Sequence, residues 1–130
     1  MDLTGRTALV TGGSGDIGTA ISMSLAKLGA NVLVHTYQNL EAAKLVVERI
    51  EKLGKSAKIL QANLLKREEV LRMSDEILSM GPLDILVNNA GTPIKRVPWE
   101  ELDEEFLDQV FALNYRAPLY LTQKLTPGMI

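Results

Sequence analysis

The sequence predicts an α/β protein built as a doubly wound parallel sheet with helices on both faces. Three observations carry this expectation. Short β-rich runs alternate with longer stretches of helical period along all 130 residues. The first three helical stretches each stop at a Gly or a Gly-Pro pair. The first strand runs into TGGSGDIG, residues 11–18, with four glycines in eight positions. Strands joined through helices of this length pair in parallel with right-handed crossovers, which leaves an open sheet covered on both sides.

The elements follow in order. Thr7–Val10 (TALV) is the first strand. A helix over Ile17–Leu28 places Ile17, Ile21, Ser24, Leu25 and Leu28 on one face, with Gly29 as its C-terminal cap. Asn31–Thr36 (NVLVHT) reads as the second strand. Leu40–Leu53 is the second helix, with Ala43, Val46, Val47, Ile50 and Leu53 inward and Gly54 as its stop. Ala57–Ala62 (AKILQA) is the third strand. Lys66–Met80 is the third helix, closed by Gly81-Pro82. Leu83–Asn88 (LDILVN) is the fourth strand, and Ile85, Leu86 and Val87 form the continuous apolar run of a strand buried on both faces. A loop containing Pro93 and Pro98 leads to a last helix over Asp103–Leu125, with an apolar stripe at Phe106, Val110, Leu113, Ala117 and Leu121. In the Rossmann strand order 3-2-1-4-5-6 these are strands 3-2-1-4. The order reverses between strands 1 and 4, so the ligand crevice of such a sheet falls within this chain. Residues 1–130 then make one Rossmann-type domain, truncated before strand five.

Composition narrows the function. Apolar residues at 46% and charged residues at 23% are ordinary for a globular domain. A net charge of −2, with no Lys/Arg run, argues against a nucleic-acid surface. No apolar run approaches a membrane span, and MDLTGRTALV lacks the features of a signal peptide. The chain has no cysteine and a single histidine, His35. Disulfides, thiolate metal sites, thiol nucleophiles and multi-histidine metal sites are thereby excluded within it, and no metal site is expected. A cytoplasmic location is the expectation.

The glycine turn carries the chemistry. Phosphate is held by backbone N–H groups and by the positive end of the following helix, which requires backbone close to the ligand. Three spacings are open. Gly13, Gly15 and Gly18 spell G-x-G-x-x-G. Gly12 and Gly18 fit T-G-x-x-x-G-x-G except that position 16 is Asp. Gly12, Gly15 and Gly18 spell T-G-x-x-G-x-x-G. The competing reading is a tight strand-to-helix turn without a ligand. Its place after the first strand of an α/β chain favours dinucleotide binding.

TGGSGDIG, NNAG at Asn88–Gly91 and FALNYRAPLYLTQ at residues 111–123 together resemble the short-chain dehydrogenase/reductase family, closest to the 3-oxoacyl-[acyl-carrier-protein] reductase type. The resemblance covers the chain from about Leu3 to Ile130. It implies an NAD(P)-dependent oxidoreductase that reduces a carbonyl by hydride transfer, with a small-molecule carbonyl or acyl-thioester substrate and assembly into a homo-oligomer. Within the family, T-G-x-x-G-x-x-G belongs to the extended members and to ketoreductase domains, which usually lack NNAG. The chain therefore resembles the plain short-chain branch with a borrowed glycine spacing. Cofactor contacts are implied for Gly12, Gly13, Ser14, Gly15, Asp16, Ile17 and Gly18. Gly15 takes the flexible middle place, and Asp16 turns outward as a helix N-cap; the alternative is a carboxylate close to the pyrophosphate, which would weaken cofactor binding.

At the adenosine end, NAD-preferring members carry an Asp at the end of strand two. Thr36 stands there, which leaves room for the 2′-phosphate of NADP. The arginine that often binds that phosphate is also missing, since Gly15 and Tyr37 occupy its places. The resemblance thus leans to NADP, with NAD open. Asn63 matches the position whose carbonyl accepts from the adenine amino group, and Leu64 contributes backbone; as a plain reading, Asn63 is a strand-end turn residue. Asn88 is implied to tie neighbouring strands together. Asn89 and Ala90 line the ribose, and Gly91 lets backbone approach. Asn114 belongs by resemblance to a catalytic set with Ser, Tyr and Lys, its main-chain carbonyl holding a water of the proton relay. Pro118, four residues on, has no N–H, so that carbonyl lacks its ordinary helical donor.

The catalytic Ser and the Tyr-x-x-x-Lys of the family come later than residue 130. Tyr120 and Lys124 have the right spacing but stand in the Asn114 helix, too early for that role. The expectation is the N-terminal portion of a carbonyl reductase, inactive by itself. The alternative is a non-catalytic nucleotide-binding or interaction module. A methyltransferase with a similar glycine turn is disfavoured by NNAG and by Thr36.

Overall fold

The structure is a computed structural model that describes residues 1–91 and 95–130; Pro93 of the connecting loop lies outside them. The described strands are β1 (Thr7–Val10), β2 (Asn31–Thr36), β3 (Ala57–Gln61) and β4 (Ile85–Val87). The α-helices are α1 (Asp16–Lys27), α2 (Leu40–Lys52), α3 (Arg67–Ser79), α4 (Glu104–Phe111) and α5 (Ala117–Leu125). All pairings are parallel and the order is β3-β2-β1-β4, as the sequence predicts. Val10 pairs with Val34 on one side and with Val87 on the other.

Side chains alternate across a strand, so each strand feeds two cores. On one face Leu9, Leu33 and Leu60 pack with Val70, Met73 and Ile77 of α3 and with Ala117, Leu121 and Leu125 of α5. On the other, Ala8, Val10, Val32 and Val34 pack with Ala26 of α1 and with Ala43, Val46 and Ile50 of α2. Each fully buried large aliphatic side chain contributes about 1.5–3 kcal/mol. At the start of the sheet, the Asp84 carboxylate accepts from the Thr7 N–H at 2.9 Å and from Arg6 at 3.1 Å, tying the entry to β4 against β1.

Element ends differ from the sequence reading by a residue or two, apart from three physical differences. The inward face of α1 is Gly18, Ser22 and Ala26, not the stripe through Ile17, Ser24 and Leu28, which are exposed. Small residues there bring the helix close to the sheet. Gly15, with extended backbone at φ −75° and ψ 179°, is the N-cap of α1, and Asp16 is already its first helical residue, so Asp16 does not cap. The last helix is not continuous. It widens into a π-turn over Ala112–Arg116, where the Ala117 N–H reaches back to the Ala112 carbonyl. Pro118 removes a helical donor just beyond, and one extra residue in the turn re-registers the bonds.

Candidate functional site

The C-terminal ends of the four strands share one end of the sheet, where a cleft of about 540 Å³ opens beside the reversal of strand order between β1 and β4. That volume lies in the range of small-molecule and cofactor sites. On one side stands the glycine turn after β1, on the other the segment Asn89–Gly91 after β4. The ends of β2 and β3 form the floor.

The turn requires three of its glycines for itself. Gly12 has φ +60°, a left-handed backbone that favours glycine. A Cβ on Gly13 would stand 2.9 Å from the Val10 carbonyl oxygen. A Cβ on Gly18 would overlap the Gly12 carbonyl. Gly15 differs: the nearest atom to its Cβ position is the Gly12 oxygen at 3.5 Å, an ordinary contact, and the residue is exposed on the cleft. The turn itself therefore does not require a bare residue at this place. Position 16 tolerates Asp because it is an exposed first-turn residue.

Two clamps hold the turn. On the β2 side, the Gly12 N–H donates to His35 Nδ1 at 2.9 Å and the Gly13 N–H to the His35 carbonyl at 2.9 Å. The second ring nitrogen of His35 lies 2.9 Å from the Ala62 carbonyl oxygen. An N–H can only donate, so Nδ1 is the acceptor and Nε2 carries the proton: His35 is neutral. Burial holds its pKa below the ordinary imidazole value of 6.5, against a smaller upward effect of the Ala62 carbonyl. On the β4 side, buried Thr11 accepts with Oγ1 from the N–H groups of Asn89 at 3.0 Å and Ala90 at 2.9 Å. The Asn89 side chain donates to the carbonyls of Thr11 at 3.0 Å and Gly12 at 3.1 Å. The strand-tying amide is thus Asn89; Asn88 is exposed.

Of the sequence-derived candidates, Gly12, Gly15, Asp16, Ile17, Gly18, Thr36, Tyr37, Asn63, Leu64, Asn89, Ala90 and Gly91 line the one cleft. Gly13 lies buried beneath it, and Ser14 binds Thr36 by a hydroxyl–hydroxyl bond of 3.3 Å. Asn63 is held in place by its neighbours: its Oδ1 accepts from the Leu65 N–H at 3.0 Å, which leaves a second lone pair, and its own N–H donates to Glu69 at 3.0 Å. That is the turn reading, in a residue that still faces the cleft. Asn114 sits in the π-turn with Nδ2 donating to the Val110 carbonyl at 2.8 Å, and it is engaged beyond that bond. Its Oδ1 stands 2.7 Å from where a Cβ of Gly91 would be, so bare Gly91 is what lets this helix reach the cleft wall.

Residues not anticipated are His35, Gln38, Asn39, Leu65 and Leu113 in the lining and Thr11 beneath it. A polar residue near the end of the apolar run NVLVHT was the available signal for His35. The Thr preceding Gly12 was that for Thr11. Among the described residues the lining holds one acidic side chain, Asp16, and no Lys or Arg. Among the described residues no cluster of three or more His, Cys, Asp or Glu could hold a metal, and no helix is long and apolar enough to cross a membrane.

The geometry fits a dinucleotide: bare backbone at Gly15 and Gly91 borders the cleft, and the first N–H groups of α1 open onto it without intrahelical acceptors. The family model described as short chain dehydrogenase matches residues 6–130. The hydroxynaphthalene reductase-like protein Arp2 of Metarhizium robertsii is 43% identical over 122 residues, which cover 93% of this chain and 45% of that protein. A short chain dehydrogenase from Burkholderia cenocepacia, in complex with NADP, superposes with a TM-score of 0.90 at 37% identity, covering 98% of this chain and 52% of its own. A 3-oxoacyl (acyl-carrier-protein) reductase from Agrobacterium tumefaciens with NADP bound gives 0.89 at 32% identity, covering 98% and 49%. The chain spans about half the length of the curated relatives it matches.

Proposed function

The chain belongs to the short-chain dehydrogenase family, and from that premise we propose that it is the dinucleotide-binding portion of an NAD(P)-dependent oxidoreductase that reduces a carbonyl. The observation that carries the reading is the joining of the glycine turn to Asn89 and Ala90 across a single cleft, with Asn114 at its wall through Gly91. When bound, the nicotinamide supplies a hydride. The chain's own part is to bind and orient. The first N–H groups of α1 meet the pyrophosphate. Asn89, Ala90 and Gly91 border the ribose, and the floor residues Thr36, Tyr37, Asn63 and Leu64 border the adenosine. Asn114 is the catalytic residue assigned to this portion, through a water held at its backbone.

NADP is favoured over NAD. Thr36, Tyr37, Gln38 and Asn39 put hydroxyl and amide groups, and no carboxylate, beside the adenosine end, so nothing there repels a 2′-phosphate. Relatives solved with NADP support the same choice. The substrate class is a 3-oxoacyl-like thioester, supported by the reductase from Agrobacterium tumefaciens. A ketone on a fused aromatic ring is the second reading, favoured by the name of the Metarhizium relative. A homo-oligomer in the cytoplasm completes the proposal.

Calorimetry with ADP-ribose and 2′-phospho-ADP-ribose tests it. Both bind, the phosphorylated one more tightly, and more weakly than to a complete reductase. The 130-residue chain alone turns over no acetoacetyl thioester with NADPH. Absence of heat with either ligand on folded protein removes the proposal in favour of a module without nucleotide.

A further inference from the structure

We propose that His35 is a positioning residue for the glycine turn: its neutral ring holds the turn in the shape that receives a dinucleotide, and its protonation releases the ligand. This rests on the dinucleotide reading above. The ring lies between two backbone groups that cannot change roles. The Gly12 N–H must donate to Nδ1, and the Ala62 carbonyl must accept from Nε2. Both bonds are 2.9 Å and the residue is 3% exposed. A proton on Nδ1 sets two donors against each other at that distance. The Gly12 end has to move. Gly12 carries the left-handed φ of the turn, and its carbonyl takes the bonds from Gly15 and Asn89, so its displacement reshapes the whole phosphate-facing loop.

Both ring nitrogens are engaged by backbone groups and not by a carboxylate. The glycine turn and the β3 exit present backbone to the ring. The ionisable groups nearby are Asp16 at the start of α1, Tyr37 after β2 and Glu69 on α3, whose carboxylate is taken by the Asn63 N–H. None of them sets the titration of His35; burial does, with the Ala62 carbonyl opposing it.

His35 is the only histidine of the chain, so its imidazole signals in an NMR spectrum need no assignment. The test follows those signals from about pH 8 to about pH 5 with and without ADP-ribose, whose pyrophosphate does not titrate in that range, beside calorimetric affinities of wild type and His35→Asn over the same range. Wild-type affinity stays level at the upper end and weakens by about tenfold per pH unit below the pKa of His35. Bound ligand moves that pKa further down, because the coupling is reciprocal. In His35→Asn the side-chain oxygen accepts the Gly12 N–H and does not titrate, so affinity is level throughout. Binding to wild type that ignores pH, or a His35 pKa unmoved by bound ligand, overturns the inference alone. No binding at any pH by folded chain overturns the dinucleotide reading and this inference with it. Should His35→Asn not fold, the wild-type titration decides.

Discussion

The side-chain amide of Asn89 donates to the carbonyl oxygen of Gly12 at 3.1 Å, joining residues 77 apart in the chain. This bond fastens the end of β4 to the turn after β1, across the point where strand order reverses. The two walls of the cleft are therefore one hydrogen-bonded unit. Asn89→Ala takes the side-chain donor from the Thr11 carbonyl and leaves the Gly12 carbonyl only its bond from the Gly15 N–H, and it destabilises the fold by about 1–3 kcal/mol. Urea unfolding measures this, and the affinity for ADP-ribose falls with it. Unchanged stability would show that the backbone bonds of Asn89 and Ala90 to Thr11 Oγ1 suffice to join the walls.

The glycines of the turn divide by what limits them. Gly18→Ala drives a methyl group into the Gly12 carbonyl and costs about 1–3 kcal/mol or more. Gly15→Ser suits an N-cap with extended backbone, and stability stays within about 0.5 kcal/mol or rises. Its side chain nevertheless enters the cleft, and dinucleotide affinity drops. Thermal unfolding together with calorimetry separates the two. Full affinity in Gly15→Ser would place the ligand elsewhere.

Acid destabilisation comes in two windows. His35 has a folded pKa below its ordinary 6.5, so the folded state binds fewer protons than the unfolded. Its contribution is whole above that value and is lost as pH falls through the folded pKa. Asp84 is held below its ordinary 3.8 by the Thr7 N–H first and Arg6 second. Its contribution is lost further down, as pH falls through its own folded value. Melting temperature followed against pH resolves both. His35→Asn removes the upper step and Asp84→Asn reduces the lower one, to which Asp2, held below its ordinary value by Thr4, also contributes.

Leu107, Phe111, Tyr115 and Leu119 recur at every fourth residue on the outer face of the last helix, all between 40% and 56% exposed. The rings of Phe111 and Tyr115 touch, with centroids 4.9 Å apart. The inner stripe expected from the sequence is largely spent inside the chain: Ala117 and Leu121 are buried in the core, and Leu113 packs against it. The outer stripe is thus the apolar surface available for self-association, alongside the β4 edge. The chain is expected to dimerise at micromolar concentration in sedimentation equilibrium, and Phe111→Glu shifts it toward monomer. Wild type that stays monomeric refutes this; dimers that survive the substitution point to the β4 edge.

Local pattern was enough to determine much of this protein. The alternation of strand and helix periods argues for parallel pairing with right-handed crossovers, and the Rossmann pattern that begins with a glycine turn after the first strand supplies the order 3-2-1-4. Gly29, Gly54 and Gly81 mark helix ends because their positive φ is a backbone property of the residue itself. The cleft residues in TGGSGDIG and NNAG were legible for the same reason, since backbone approach needs bare positions at fixed places. The tertiary structure decided what depends on partners distant in the chain. Which face of α1 is inward followed from how close the helix must come to the sheet at Gly18, not from where its large apolar residues recur. Asn63 is tied into a turn by the Leu65 N–H, and the π-turn at Ala112–Arg116 interrupts a helix that reads as continuous in sequence. His35 reads in sequence as one polar residue in an apolar strand. Its role exists only because folding brings Gly12 and Ala62 to opposite ring nitrogens, and a hydrogen bond between groups tens of residues apart leaves no periodic trace.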